Sequence, residues 1–258
     1  DQAAGMSEML TAVILTRNEA QHIADCIASV GFADAVIVFD SGSTDDTVEI
    51  AGRGGAHVLH RAFDDYAGQR NAALDAVGQG WVLFVDADER VTPELAAEVR
   101  RVVAQGAAAG YRIPRHNYIF GKLTRGAGWY PDYQTRLLKV GSARYDPAKK
   151  VHEVVLLDGP EGTLEHPIIH YNYDHPAQFH EKQRRYVAYD ARILYEQGVR
   201  PKPYTPFTQA VRHFRWRYLT LGGWRDAWHG LRLSALMAWY EYCKYRLLQG
   251  LWRQGGGT

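Results

Sequence analysis

Four short apolar runs punctuate the first third of the chain: Thr11–Leu15, Ala35–Phe39, Ala56–His60 and Trp81–Val85. All four read as strands, and Trp81–Val85, apolar throughout with β-branched and aromatic side chains, has the pattern of a strand buried on both faces, as in a parallel sheet. Between them the period changes. Ile23, Cys26, Ile27 and Val30 stand at i, i+3, i+4 and i+7, one face of a helix. Asn18 lies ahead of them as a candidate N-cap. Further helices are expected after Thr47 to about Gly52, over Tyr66–Val77, and from Thr92-Pro93, which read as N-cap and N1. Strand and helix alternating in this rhythm predict an α/β fold. Its sheet is mostly parallel, Rossmann-like and right-handed, with helices on both faces.

The polar residues gather where the runs end: Thr16-Arg17-Asn18-Glu19, the loop Asp40–Asp46, and Asp86-Ala87-Asp88-Glu89. Open α/β sheets bind ligands outside the carboxyl ends of their strands, so these clusters converge on one edge. If the backbone stays extended past Val85, alternation turns Asp86 and Asp88 to the same side. Two carboxylates with few cations near them in sequence repel each other unless a cation sits between them. Hard oxygen ligands suit Mg2+ or Mn2+, held by one or two carboxylates together with a substrate's phosphates. The bland alternative is a solvated acidic turn, because Asp-x-Asp alone is short and frequent. Neither GxGxxG nor GxxxxGK[ST] occurs, which excludes the dinucleotide fingerprint and the Walker loop.

Past Gly110 the character shifts. Tyr111–Pro114 and Gln134–Lys139 read as strands around a long loop rich in aromatics and glycine, and such a loop is expected to be functional or mobile. Val151-His152-Glu153 and Ile168-Ile169-His170-Tyr171 follow, and a helix is expected from Pro176 to about Gln197. Charge changes the picture here. The net +1 hides a tail from Arg200 that carries ten basic residues and two acids, or +8, against about −7 for the first 199 residues. Trp, Tyr and Phe interleave with these cations. That suits a helix lying in a membrane interface better than a nucleic-acid partner, with packing or homo-oligomerisation as the other use. No apolar run approaches the ~20 residues of a membrane span, and no secretory signal is legible. The two cysteines, far apart, make no disulfide framework and fit a reduced cytoplasmic compartment. Residues 1–5, ahead of Met6, read as appended outside the fold. Residues 6–175 read as the catalytic domain and 176–258 as a helical, basic and aromatic extension.

Four motifs occur in one order: Leu15–Glu19 (LTRNE), Asp40–Thr47 (DSGSTDDT), Gly68–Leu74 (GQRNAAL) and Asp86–Glu89 (DADE). Together they resemble the family 2 glycosyltransferases, whose fold is GT-A. The segments Gly128–Lys139 and Lys150–Glu153 resemble the subgroup that adds sugars to the lipopolysaccharide inner core. The resemblance implies an inverting, metal-dependent enzyme. It would move a sugar from a nucleotide sugar, by family habit a UDP-sugar, to a lipid-linked saccharide at the inner face of a bacterial membrane. It implies that Thr16, Arg17, Glu19, Asp40, Ser43, Arg70, Asp86 and Ala87 line the nucleotide-sugar site. Asp88, with Asp86 and His170, would hold Mg2+ or Mn2+. Inversion needs a base on the acceptor side, and Glu153 is the first candidate, with Asp132 its rival. Trp129, Tyr130 and Tyr133 offer flat faces to sugar rings, and Arg136 and His152 are candidates for acceptor contacts.

Singly, each of these residues has an ordinary structural reading: a helix surface for Arg70, a turn for Asp132, a core histidine for His170, a solvated charge for Arg136. Two other functions compete. A nucleotidyltransferase shares a related sheet and metal site, but the first strand here leads into Thr16-Arg17-Asn18-Glu19, without the glycine-rich triphosphate loop of that class. A non-catalytic nucleotide-sugar-binding scaffold would not need the acids to be intact.

Overall fold

The computed structural model describes residues 8–148 and 154–255. Its elements run β1 (Leu10–Thr16), α1 (Ile23–Ser29), β2 (Ala35–Asp40), α2 (Thr47–Arg53), β3 (His57–His60), α3 (Tyr66–Val77), β4 (Trp81–Asp86), β5 (Glu89–Val91) and α4 (Pro93–Gln105). Then come β6 (Gly110–Ile119), β7 (Lys122–Leu123), β8 (Tyr133–Lys139), β9 (Ala143–Tyr145), β10 (Val155–Leu157), β11 (Glu161–Thr163) and β12 (Ile168–Tyr173). The helices α5 (Pro176–Glu196), α6 (Thr205–Arg215) and α7 (Ala227–Gly255) close the chain. The chain forms two compact units. One comprises residues 1–115 and 132–170, the other residues 116–131 and 171–258.

The first unit is built on strands in the order β3-β2-β1-β4-β8-β6. The first four are parallel, as the apolar runs predict, while β8 and β6 join antiparallel. Alternation along β4 explains the burial on both sides. Trp81, Leu83 and Val85 face a core shared with Ile23, Cys26 and Ile27 of α1 and Leu95 and Val99 of α4. Val82 and Phe84 face a second core with Ala67, Ala73 and Leu74 of α3. The result is a mostly parallel α/β sheet with helices on both faces, as expected. Thr92 caps α4 by accepting from Leu95 N, with proline at the start of the helix, as expected.

Asn18 is not the cap of α1. It has φ +56°, and its side-chain oxygen accepts from Thr44 N at 2.7 Å, tying the β1 loop to the β2 loop. His22 holds the N-cap position instead. Asparagine tolerates this left-handed conformation, and its short amide serves a neighbouring loop as readily as a helix end.

In the second unit, Ile119, Tyr173, Phe179, Leu233 and Tyr240 form a core, and α7 packs along α5 and α6. Glycines let the loop before Trp129 approach the tail. A Cβ on Gly126 would stand 2.1 Å from the Gly222 carbonyl oxygen, and one on Gly230 would stand 1.8 Å from that of Gly223. Asp226 accepts from the backbone N–H groups of Arg125 and Gly126 at 2.8–3.0 Å, and Arg217 donates to the Ala127 carbonyl at 2.5 Å. Arg217 also donates through Nε to His213 Nε2 at 2.7 Å.

Candidate functional site

The carboxyl ends of β2, β1 and β4 lie side by side: Thr16 is in register with Asp40, and Leu15 with Asp86. The strand order reverses between β1 and β4, and the crevice of a doubly wound sheet opens at such a switch point.

Asp40 organises one side of it. Its buried carboxylate accepts from Gly42 N, from Ser43 N and from Ser43 Oγ, and lies 3.2 Å from His60 Nδ1. Burial pushes its proton affinity up, but the Ser43 and Gly42 donors overcome this and hold the carboxyl below its ordinary range. Ser43 Oγ also accepts from Asn18 N, and Glu19 N donates to Thr47 Oγ1 at 2.8 Å, so the two loops brace each other. Thr16 Oγ1 is buried without a hydrogen-bond partner among the described residues. Beside Asp40 lies a cleft of about 440 Å³ lined by Arg17, Ser41, Gly42, His60, Arg61 and Phe63, among others.

Asp86 organises the other side, in a way the local sequence does not show. Arg136 from β8 donates to its Oδ2 at 2.6 Å, and Arg70 from α3 to its Oδ1 at 3.1 Å. Burial alone would raise the Asp86 carboxyl, yet the fields of Arg136 and Arg70 hold it well below the usual carboxylate range. Arg136 shifts the opposite way, held above its ordinary value because Asp86 and Glu89 overcome the effect of its burial. Neither guanidinium is a surface charge: their side chains are 3% and 5% exposed. Arg136, expected on acceptor phosphates, and Arg70, expected on the nucleotide, both turn to Asp86.

Glu89, which sequence reasoning left without a role, is fully buried behind them. It accepts from Asp86 N at 2.9 Å, and its other oxygen lies 3.4 Å from Arg115 and 3.7 Å from Arg136. Arg115 reaches on to Asp132 through Nε and Nη2 at 2.9 and 2.7 Å. Acids and arginines therefore alternate without a break from Arg70 through Asp86, Arg136, Glu89 and Arg115 to Asp132.

The expected alternation of Asp86 and Asp88 stops at a turn over Ala87–Asp88. Ala87 is buried beneath it. Asp88 points elsewhere, with Oδ2 3.4 Å from His170 Nε2. The antiparallel pairing of β5 with β12, which sets Glu89 opposite His170, makes this meeting possible. A carboxylate oxygen and an imidazole nitrogen so placed fit two corners of a Mg2+ or Mn2+ shell, with the remaining oxygens left to a substrate. Asp86, its oxygens taken by arginines, does not fit as a third. Among the described residues no cluster of three or more His, Cys, Asp or Glu is placed to hold a metal alone.

Of the expected acceptor residues, Tyr133 is 44% exposed, under the Arg112 guanidinium. Asp132 also accepts from Gln134 at 2.9 Å. In the second unit, Tyr130 is 41% exposed and stacks obliquely near His116, while Trp129 packs edge-on against Tyr173. His152 and Glu153 lie outside the described residues.

Residues 11–148, which contain all four motifs, match the family model described as glycosyl transferase family 2. This chain belongs to that family. The chain is similar to the lipopolysaccharide core biosynthesis glycosyltransferase LpsC of Rhizobium meliloti (strain 1021): the two are 28% identical, covering 90% of this chain and 89% of LpsC. A glycosyltransferase of Rickettsia bellii (strain RML369-C) is 44% identical over 104 residues, covering 38% of this chain and 35% of its own. A solved structure of glucosyl-3-phosphoglycerate synthase from Mycobacterium tuberculosis, with Mn2+ and UDP-glucose, aligns at 24% identity and TM-score 0.38. It covers 45% of this chain and 46% of that one. The family assignment makes the chain a glycosyltransferase, and the crevice at β1, β2 and β4 is its candidate active-site edge.

Proposed function

We propose that this glycosyltransferase moves a sugar, with inversion, from a UDP-sugar to a lipid-linked saccharide of the bacterial envelope, most specifically lipopolysaccharide core. The observation that carries the reading is the pair Asp88–His170 at 3.4 Å, beside a carboxylate that two arginines keep ionised and across the sheet edge from Asp40. The full-length likeness to LpsC supports the acceptor class. UDP rests on the resemblance of the motifs to the family.

Each side chain has a task in this reading. Asp40, held as carboxylate by the β2 loop, accepts from the base or ribose, next to the cleft lined by Arg17 and Phe63. Asp86 is fixed in place to receive ribose or sugar hydroxyls on whatever lone pairs its arginines leave. Asp88 and His170 would hold the divalent ion, which when bound offsets charge on the leaving diphosphate. The acceptor hydroxyl gives its proton to a carboxylate as its oxygen bonds the sugar's anomeric carbon. The bond from that carbon to the diphosphate breaks, and its electron pair leaves with UDP. We assign the base to Glu153, because Asp132 is already held by Arg115 and Gln134. Among the described residues no helix is long and apolar enough to cross a membrane. In this reading the enzyme reaches its acceptor from the inner membrane face as a peripheral protein, as a monomer or homo-oligomer.

The test is transfer to a lipid-linked acceptor from a panel of UDP-, ADP- and GDP-sugars, for the wild type and Asp88→Ala. Transfer from a UDP-sugar that falls at least a hundredfold in the variant is expected. Transfer that persists in Asp88→Ala, or binding without any transfer, would sink the mechanism.

A further inference from the structure

The tail residues divide in an unexpected way. Leu231–Tyr240, the most apolar stretch of the tail, supplies Leu233 and Tyr240 to the core of the second unit. Trp228 and Trp239 of α7 are exposed, and a continuous outward apolar row lies on α6 and its continuation. Phe207 is 63% exposed, Val211 60%, Trp216 46% and Leu219 56%. Such side chains normally lie inward, and four in a row on one helix face form a patch rather than scattered exposure. They stand at steps of four, five and three along α6 and the π-helical turn Trp216–Thr220 that continues it. The four residues line one groove of about 650 Å³.

Arg212 and Arg215 line the same groove, and no acid does. Both are exposed and neither has an ion-pair partner within the described residues' salt bridges. The glutamate near this helix, Glu241, is taken by Lys244 at 2.8 Å and faces His213 on the inner side. A second copy docked face to face would bring these arginines against their own equivalents, since a two-fold contact uses the same patch twice. An anionic lipid surface satisfies both halves of the pattern. Acyl chains take the aromatic and aliphatic row while headgroup phosphates take the guanidinium groups.

We propose that the α6 face built from Phe207, Val211, Trp216 and Leu219, flanked by Arg212 and Arg215, is the surface that seats this enzyme on anionic lipid. The proposal deepens the membrane-side reading of the acceptor given above but does not depend on the donor chemistry.

The experiment is co-sedimentation of the full chain with large vesicles of phosphatidylcholine alone or with phosphatidylglycerol, without nucleotide or acceptor. The wild type is expected to partition onto the anionic vesicles and to come off in high salt. Removing two basic residues at a membrane surface, in Arg212→Ala/Arg215→Ala, should weaken that partition about thirtyfold. Phe207→Ser/Leu219→Ser should abolish it even at low salt. Circular dichroism and thermal unfolding check that both variants fold, as substitutions at exposed positions should allow. Equal partition of wild type and variants overturns the proposal. So does a wild type that ignores vesicles but dimerises by light scattering, with Phe207→Ser/Leu219→Ser monomeric, which would assign the face to a second copy. Transfer to a detergent-solubilised acceptor, measured in parallel, separates the two readings. Intact transfer without vesicle binding removes only the lipid surface, and a wild type inactive with every donor removes only the proposed reaction.

Discussion

Arg136 Nη2 lies 2.6 Å from Asp86 Oδ2 and 3.7 Å from Glu89 Oε1, so one buried guanidinium bridges two acids of the same motif. Its loss would leave buried charge uncompensated. Arg136→Met is expected to cost about 3–5 kcal/mol of stability, the range for breaking a buried pair from one side. Arg136→Lys should recover only part of that, because an ammonium cannot reproduce the planar fork. Urea unfolding midpoints at constant slope check both. A change below ~1 kcal/mol for Arg136→Met would show that Arg70 and Arg115 carry the acids without it.

Asp88 and His170 should act in ligand binding more than in folding. Thermal stabilisation by UDP with Mn2+ is expected in the wild type, since a ligand of the native state raises its apparent stability. Asp88→Asn should remove the metal-dependent part of that shift and His170→Ala should shrink it. Asp88→Asn is expected to unfold within a few degrees of wild type when no ligand is present. A full metal-dependent shift in both variants would place the ion elsewhere.

Asp40→Asn tests the nucleotide side. A hydrogen bond to a charged group is worth about 1.5–3 kcal/mol, so the KM for the donor should rise roughly ten- to hundredfold, with kcat changed far less. The lowered Asp40 carboxyl also sets a sign for stability. Its contribution is complete above the ordinary aspartate range and disappears as pH falls through the depressed folded value. Asp40→Asn should therefore flatten the acid limb of a stability–pH curve while leaving the neutral limb parallel to wild type.

His213 provides a second pH signature, in the other unit. Burial, then the nearby Arg217, lowers it from 6.5 to about 4, and as a neutral ring it accepts from Arg217 Nε. Between those values the unfolded chain binds the proton and the folded chain does not. Stability should therefore decline as pH drops from about 6.5 to about 4. In His213→Gln that decline should be absent, as seen in melting temperature against pH.

How legible all this was in the sequence depended on whether partners were near in the chain. The four parallel strands and the loops at their ends could be read from Thr11–Leu15, Ala35–Phe39, Ala56–His60 and Trp81–Val85, most plainly for β1 and β4, where burial on both faces writes continuous apolar runs. Asp40 could be placed because its donors, Gly42 and Ser43, are its neighbours. Arg136 could not. It sits in a strand whose antiparallel register with β4 pairs Leu137 with Leu83, and only that register carries its side chain to Asp86. Glu89 was missed for the same reason, as its burial comes from β12. A glutamate three residues past the first aspartate of the motif was the available signal. The expected common side for Asp86 and Asp88 failed because the strand ends at Asp86 and Ala87 and Asp88 already lie in a turn.

The Gly126–Gly222 approach bears on how the protein can be shortened. Backbone lies against backbone there, with no room for a methyl group, and Asp226 and Arg217 hold the loop's N–H and C=O groups. Cutting the basic helices away to obtain a better-behaved fragment would therefore strip the seat from beneath Trp129 and Tyr130. A chain ended near Gly198 should keep the nucleotide-dependent thermal shifts expected of the first unit, yet lose transfer. If such a fragment still transferred sugar, the tail would be dispensable ballast, and the glycine contact a matter of packing alone.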